Sequence, residues 1–116
     1  MPTRGTHSEP VLVDLHVHST CSIDGMSTIE ECALRAEDLG LAEVGFCEHV
    51  DLDPRDGSYG YFDPERYERE MRAARAAVRD VRLRQGVEIT YQSGLEAPLK
   101  AWLTGHSWDY VVASVH

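Results

Sequence analysis

DLHVHSTCSIDG, at residues 14–25, is the most informative segment of this sequence. It follows the apolar run VLV at residues 11–13, whose β-branched side chains predict a buried strand. Because side chains alternate between the two faces of a strand, Asp14, His16 and His18 are predicted to share one face. The apolar residues between them are predicted to face the core.

Two histidines at alternate positions of one strand can bind a single metal ion. Their Cα atoms are about 6–7 Å apart, given a rise of about 3.3 Å per residue. The ring nitrogens of His16 and His18 can then meet at one ion, with Zn–N distances of ~2.0–2.1 Å. The alternative is a pair of hydrogen-bonded structural histidines, which we disfavour because buried imidazoles without partners are costly.

Length and composition indicate one globular domain. The chain has 116 residues, of which 42% are hydrophobic, and this is enough to enclose a core. Residues 1–10 lack the apolar centre of a signal peptide and are predicted to form a flexible tail, with residues 11–116 as the folded domain. No apolar run approaches the ~18 residues of a membrane span.

The formal net charge of −9 argues against two classes of partner. Nucleic acid and anionic membrane surfaces both require a basic face on the protein. The arginine-rich segment at residues 66–84 is a candidate for such a face, but its arginines alternate with acids, which favours a solvated helix surface. We therefore expect neither nucleic acid nor a membrane as a partner.

Three cysteines without a CxxC pair indicate a reducing compartment, and hence a cytoplasmic protein, rather than a disulfide framework. Cys47 precedes Glu48 and His49. We interpret Cys47 as a packing residue rather than a nucleophile, because no positive neighbour is evident that would lower its pKa. Cys21 lies in the loop after His18 and is the better candidate for a position near metal.

Short apolar runs alternate with helical patterns along the chain. Ser27 and Glu30 are predicted to form a capping box at the start of a first helix, which Gly40 ends. Residues 41–47 form a second apolar run, short enough for a buried strand. After a glycine-containing loop, Asp63 is predicted to cap a second helix.

The second half of the chain repeats this alternation. Residues 86–90 predict a third strand, a helix begins near residue 96 or 97, and residues 109–116 predict a fourth strand. Four strands alternating with three helices predict an α/β fold of parallel βα units with right-handed crossovers. Active sites in such folds lie at the carboxyl ends of the strands. The residues at or near predicted strand ends are His18, His49, Glu88 and His116.

These residue types favour a metal centre. Neutral imidazoles suit zinc, iron or manganese, and a carboxylate can bridge two ions, so the set predicts a site for more than one divalent ion. The sequence has no glycine-rich nucleotide loop after a strand and no G-x-S-x-G motif, which argues against a nucleotide-binding loop and a serine nucleophile.

Four motifs in order resemble those of the polymerase-and-histidinol-phosphatase (PHP) domain: DLHVHSTCSIDG, CEHVD at residues 47–51, GVE at 86–88 and ASVH at 113–116. The segments YGYFDPERYEREM and GVEITY make the resemblance closer to the histidinol-phosphatase branch. The resemblance implies a distorted (β/α)7 barrel, similar to a TIM barrel, of which this chain carries the N-terminal half. It also implies a centre of two or three divalent ions that hydrolyses phosphomonoesters.

The same resemblance implies which residues bind the ions. His16 and His18 would hold the first ion. Glu88 would bridge the first and the second, and His116 would bind the second. Glu88 and His116 are therefore also the expected catalytic residues.

A third ion would be bound by Asp24 and His49, again by resemblance. Asp14 matches a family position too, and we expect it to orient an imidazole without binding metal itself. The implied metal ligands are His16, His18, Asp24, His49, Glu88 and His116. The implied ions are zinc, manganese or iron.

The implied substrate is a small phosphomonoester, with L-histidinol phosphate favoured. A full domain of this family has further ligands and phosphate-binding arginines on later strands, whereas this chain stops at His116. We therefore expect a fragment of a longer protein or a truncated gene, and no useful phosphatase activity from these residues alone. An open half-barrel would also expose an apolar edge, which favours aggregation or self-pairing.

Three other functions stay open at this point. A PHP-type nuclease or nucleotide phosphoesterase is disfavoured by the acidic charge and by the YGYFDPERYEREM segment. An amidohydrolase also begins with His-x-His on a first strand, but that family usually takes its bridging ligand from a modified lysine. Lys100 is the single lysine of this chain, and it lies in a predicted helix. The third is a non-catalytic metal-binding or assembly fragment.

Overall fold

The computed structural model describes residues 10–115. Over this range the elements follow the order β1 (Val13–Val17), α1 (Ile29–Asp38), β2 (Glu43–Val50), α2 (Pro64–Ala77), β3 (Arg82–Tyr91), α3 (Glu96–Thr104) and β4 (Tyr110–Val115). The four strands form one sheet in the order β1-β2-β3-β4, and all neighbouring strands are parallel. The predicted α/β half-barrel of four strands and three helices is confirmed.

Residues 1–9 and His116 lie outside the described residues. The flexible tail expected at residues 1–10 and the metal-binding role expected of His116 therefore stay predictions. Over residues 10–115, no helix is both long enough and apolar enough to cross a membrane. All three cysteines are free thiols.

Helix α1 begins one residue later than the sequence predicted. Thr28 is its N-cap: the Thr28 hydroxyl accepts a hydrogen bond from the Glu31 amide at 3.1 Å, and the Glu31 carboxylate accepts one from the Thr28 amide at 2.9 Å. Ser27 is held in the preceding loop, where its carbonyl accepts a hydrogen bond from the Thr20 amide. The expected capping box of Ser27 and Glu30 was therefore wrong by one residue.

The hydrophobic core lies between the sheet and helices α1 and α2. Tyr67 of α2 is fully buried there, and its hydroxyl donates a hydrogen bond to the Gly86 carbonyl at 2.7 Å. Burial of each large apolar side chain contributes about 1.5–3 kcal/mol to stability. The buried residues of this core are Cys21, Ile29, Ala33, Ala36, Val44, Phe46, Val50, Tyr67, Met71, Ala74, Val81, Leu83, Val87 and Ile89.

The other face of the sheet, which we call the inner face, is filled at its base by Tyr110 of β4. A Cβ atom at Gly45 or Gly86 would lie only 2.3 Å or 2.6 Å from Tyr110 atoms, so these glycines make room for its ring. The Tyr110 hydroxyl donates hydrogen bonds to the carbonyls of Leu15 at 2.6 Å and Phe46 at 3.3 Å. Because this contact reaches from β4 to β1 across two strands, the sheet must be strongly curved.

Strand β1 contains a bulge. Asp14 pairs with Val44 of β2, but Val17 pairs with Phe46, so three steps along β1 match two steps along β2. The extra residue interrupts the alternation of side chains. Asp14 consequently lies with Val17 in a cleft beside α1. The prediction that Asp14 shares a face with His16 was wrong for this reason.

Strands β2 and β3 are longer than predicted. β3 begins at Arg82, four residues before the predicted start, because residues 82–85 pair in register with residues 43–46 of β2. Arg84 and Glu43 form an ion pair at this base of the sheet. Charged residues thus extend β3 at the end opposite to the predicted site, where an apolar pattern gave no signal. β2 begins two residues later than predicted and continues to Val50, at the site end.

Apolar side chains are exposed on the two outer strands. Val13 and Leu15 of β1 are 47% and 44% exposed, and Val111 and Val115 of β4 are 44% and 77% exposed. Among the described residues, neither strand has a partner on its outer edge. The expected exposure of apolar edges is confirmed, and association through these edges stays a prediction.

Replacing Tyr110 by Phe is expected to lower the free energy of unfolding by about 1 kcal/mol, because the Leu15 and Phe46 carbonyls lose a donor. Tyr59→Phe is the matched control, since Tyr59 is 52% exposed. We expect the control to change stability by less than about 0.5 kcal/mol. Urea unfolding measures both variants. Equal stability of Tyr110→Phe and the parent would show that the hydroxyl does not hold β1 and β4 together.

Candidate metal centre

Three histidines converge on the Glu88 carboxylate, near the carboxyl end of β3. His16 Nε2 lies 2.6 Å and His18 Nε2 lies 3.4 Å from Glu88 Oε1. His49 Nδ1 lies 3.6 Å from Oε2, which also accepts a hydrogen bond from the Ser114 hydroxyl at 2.7 Å. Each of the four strands therefore contributes a side chain to this cluster. These are His16 of β1, His49 of β2, Glu88 of β3 and Ser114 of β4.

Asp24 adds a second carboxylate from the loop after β1. Its oxygens lie 3.5 Å from His18 Nδ1 and 3.2 Å from His49 Nε2. The ligand atoms of Asp24, His18 and His49 all lie within 4.8 Å of one another, so the three side chains can share an ion. The side chains of Asp24 and His16 are 55% and 57% exposed and that of Glu88 is only 10% exposed, so the cluster opens to solvent at Asp24 and at His16.

Glu88 is held in its anionic form. Burial opposes its ionisation, but the hydrogen bond from Ser114 and electrostatic interactions with His49, His16 and His18 outweigh this effect, so the pKa of Glu88 lies below its usual value. An ionised carboxylate is the form that binds a cation. Glu88 can therefore serve as a metal ligand at neutral pH.

Two buried polar atoms of the cluster have no hydrogen-bond partner. They are Glu88 Oε1 and His18 Nε2, which approach each other and His16 without good hydrogen-bond geometry. An unsatisfied buried polar atom costs about 1–3 kcal/mol. A divalent ion shared by these atoms would remove that cost, and imidazole with carboxylate is a donor set that such ions accept. The residues present therefore fit a metal ion.

The structure brings together most of the residues predicted as ligands. The five that lie in the cluster are His16, His18, Asp24, His49 and Glu88. The sixth, His116, is outside the described residues. The assignment of these side chains to a first, second or third ion stays a prediction.

Asp14 does not touch the cluster. Its carboxylate accepts a hydrogen bond from the backbone amide of His16 at 3.1 Å. Asp14 lines the cleft between β1 and α1. The prediction that Asp14 orients an imidazole was wrong, because the bulge in β1 turns its side chain away from the rings. Asp14 instead stabilises the backbone conformation at His16 through this hydrogen bond.

A buried carboxylate that the sequence analysis missed anchors the loop after β1. Glu48 is fully buried, and it accepts hydrogen bonds from the Ser19 amide at 2.7 Å and the Ser19 hydroxyl at 2.5 Å. Burial raises the pKa of Glu48, and the hydrogen bonds from Ser19 oppose that rise. Because neighbouring residues on a strand face opposite sides, Glu48 points towards the helices while His49 points into the cluster.

The loop at residues 19–27 has two further anchors. The Ser22 hydroxyl accepts a hydrogen bond from the His49 amide at 2.9 Å, and the Tyr61 hydroxyl donates one to the Thr20 carbonyl at 2.9 Å. A Cβ atom at Gly25 would lie 1.7 Å from the Ser19 carbonyl oxygen, so only glycine permits this close approach. The loop is thereby held in the shape that presents Asp24 to the histidines.

Cys47, and not Cys21, lies beside the metal-ligand candidates. The Cys47 sulfur is within 4.8 Å of ligand atoms of His16 and Glu88. Burial, together with Glu88 and Glu48, raises the pKa of Cys47 to about 12, which supports the expectation that it is not a nucleophile. The expectation that Cys21 lies nearer the metal was wrong, because Cys21 packs in the hydrophobic core.

Comparison with known proteins agrees with this fold. A family model for the PHP domain matches residues 14–116. No curated protein sequence gives a significant match. One similar solved structure is the crystal structure of histidinol phosphate phosphatase (HISK) from Lactococcus lactis subsp. lactis Il1403 complexed with zinc, L-histidinol and phosphate, with a TM-score of 0.81 and 25% sequence identity. The match covers 90% of this chain and 40% of that one, so this chain spans less than half of its neighbour's length.

Replacing Glu48 by Leu is expected to lower the free energy of unfolding by about 1–3 kcal/mol, because the Ser19 amide and hydroxyl lose their buried acceptor. Glu48→Gln is the matched control, since it keeps the size of the side chain and one acceptor oxygen. We expect it to lose less stability than Glu48→Leu. Thermal unfolding compares them. If Glu48→Leu were as stable as the parent, the carboxylate would not anchor the loop.

Proposed function

The chain belongs to the PHP domain family, and we propose that it forms part of a metal-dependent phosphoesterase with L-histidinol phosphate as its favoured substrate. The observation that carries this proposal is the convergence of His16, His18 and His49 on the buried, ionised carboxylate of Glu88. A structural neighbour that was crystallised with zinc, L-histidinol and phosphate supports the choice of metal and substrate.

The ligand set suits two or three divalent ions, which we propose to be zinc, manganese or iron. Glu88 offers one oxygen to His16 and His18 and the other to His49, which is the arrangement expected of a bridging carboxylate. Asp24 and His49 would hold a further ion at the exposed side of the cluster. We propose that His116, which follows Val115 of β4, completes the set.

The roles of the protein's own side chains follow from their environment. Divalent ions bound here would lower the pKa of a water molecule and draw charge from the phosphoryl oxygens. The Ser114 hydroxyl holds one Glu88 oxygen in a fixed direction. The loop anchored by Glu48 keeps Asp24 at the mouth of the cluster, where a substrate phosphate would enter. We retain Glu88 and His116 as the proposed catalytic residues.

The charge of the chain agrees with a small substrate. With a net charge of −9, the protein repels extended phosphate backbones, whereas bound cations can attract one phosphate group locally. We therefore propose a small phosphomonoester rather than nucleic acid. The cytoplasmic location expected from the free thiols stays a prediction.

Elemental analysis and two substrate assays test this function. We expect the purified full protein to contain at least one divalent ion per chain and to release phosphate from L-histidinol phosphate. Less than one ion per chain would refute a metal-dependent activity. Digestion of an oligonucleotide, without hydrolysis of L-histidinol phosphate, would assign the protein to a PHP-type nuclease instead.

Replacing Glu88 by Gln is expected to reduce metal content and turnover together, because one carboxylate faces all three histidines. Loss of a metal-site interaction typically costs at least ~10–100-fold in affinity or activity. The exposed Glu30→Gln has the same change of charge and should leave both unchanged. Full metal content with normal activity in Glu88→Gln would mean that Glu88 does not bridge ions.

Residues 1–116 on their own are expected to hydrolyse L-histidinol phosphate far more slowly than the ~1–10³ s⁻¹ of typical enzymes. The chain spans 40% of its structural neighbour, so we propose that groups which position the phosphate are contributed by sequence beyond these residues. Assays of the isolated chain with zinc, manganese and iron in turn measure this. Ordinary turnover would show that the half-barrel is self-sufficient.

A further inference from the structure

One sulfur atom lies among the nitrogen and oxygen atoms of the candidate metal centre. The Cys47 Sγ atom, a His16 ring nitrogen and a Glu88 carboxylate oxygen are all within 4.8 Å of one another. Neither the resemblance to the PHP domain nor the mechanism above gives this sulfur a role.

The position of Cys47 in the sheet explains why its side chain reaches the cluster. Cys47 precedes His49 by two residues on β2, so both side chains extend from the inner face. Its partner in β3 is Gly86, which stands two residues before Glu88 on the same face, so the sulfur and the carboxylate are neighbours on adjacent strands. Strand alternation and this register thus place the sulfur beside His16 and Glu88.

Cys47 is buried, but not in the cluster between the sheet and the helices. Its exposed fraction is 0%, yet the core between the sheet and helices α1 and α2 does not include it, whereas it does include Cys21. Cys47 instead occupies the polar side, next to His16 and Glu88.

A second observation points independently to a cation at this place. Glu88 Oε1 has no hydrogen-bond partner, although the side chain is nine-tenths buried and its exposed fraction is 10%. This oxygen faces His16, which belongs to the same group of ligand atoms as the Cys47 sulfur. A cation bound by this oxygen and by His16 Nε2, which lies 2.6 Å away, would satisfy the oxygen, and the sulfur lies within reach of the same cation.

We propose that the Cys47 sulfur binds the metal ion held by His16 and Glu88, and that it makes this position selective for zinc over manganese. The inference rests on the proposed metal-dependent function of the same site. A ligand set of thiolate, imidazole and carboxylate is one that zinc accepts, whereas manganese prefers oxygen ligands. On binding, the S–H bond breaks, the sulfur–metal bond forms, and the proton passes to solvent.

Cobalt substitution tests the proposal without relying on activity. The metal-free full protein is loaded with Co²⁺, and the near-ultraviolet charge-transfer band of a thiolate–cobalt bond is recorded. We expect the band in the parent and its loss in Cys47→Ser, which replaces sulfur with oxygen at nearly the same size. Cys32→Ser is the matched control, since Cys32 lies on α1 beside the cleft of Asp14 and should keep the band.

Metal affinities provide the second part of the test. Zinc affinity is expected to fall by about 10–100-fold in Cys47→Ser, by analogy with other losses of metal-site partners. Manganese affinity is expected to change little, so the preference for zinc falls by the same factor. An equal loss of affinity for both metals, or a band that persists in Cys47→Ser, would overturn the proposal.

A measurement on the unaltered protein covers the case in which Cys47→Ser does not fold. X-ray absorption at the zinc edge of the zinc-loaded parent is expected to show a sulfur neighbour at ~2.3 Å, beyond nitrogen and oxygen neighbours at ~2.0–2.2 Å. Bound zinc without a sulfur neighbour would overturn the role of Cys47 and leave the phosphoesterase proposal standing. A parent protein that binds neither zinc nor cobalt would overturn both.

Discussion

The buried hydrogen bonds between Glu48 and Ser19 are the constraint on which the rest of the site depends. A carboxylate without solvent is costly unless donors surround it, and the Ser19 amide and hydroxyl supply two. Because adjacent strand residues point to opposite sides, the contact that holds Glu48 under the loop also fixes the direction of His49. One interaction on the core side of the sheet therefore sets the distance between the loop that carries Asp24 and the strand that carries His49.

The order of the elements could be predicted from the sequence because each signal for it is local. Apolar runs, a proline at the start of α2 and the Asp63 cap belong to single segments, and the structure agrees with them. The side on which Asp14 lies could not be predicted from alternation. It depends on a bulge in β1, next to a carbonyl that accepts a hydrogen bond from Tyr110, 95 residues away in the chain. Tertiary contacts of this kind cannot be recognised from the alternation of apolar and polar residues within one segment.

In the candidate site too, some residues could be predicted from the sequence and others could not. The histidines and Glu88 could be found because their residue types and their resemblance to a family agree, and the sheet then brings them together. Glu48 and Cys47 were harder to interpret, since a buried acid is rare and a buried cysteine is usually a packing residue. Alternation did contain a signal: if His49 faces the metal, Cys47 must share that face and Glu48 must oppose it.

Metal binding and folding are expected to be coupled in this chain. The candidate ligands come from β1, from the loop after it, from β2 and from β3, so an ion at their centre joins segments that are distant in sequence. An ion that binds only the folded state adds about 2.7 kcal/mol of stability at a concentration of 100 times its dissociation constant. That gain is comparable to the cost of the unpaired atoms of Glu88 and His18, about 1–3 kcal/mol each. The unpaired atoms of Glu88 and His18 therefore lower the stability of the metal-free fold and also favour metal binding.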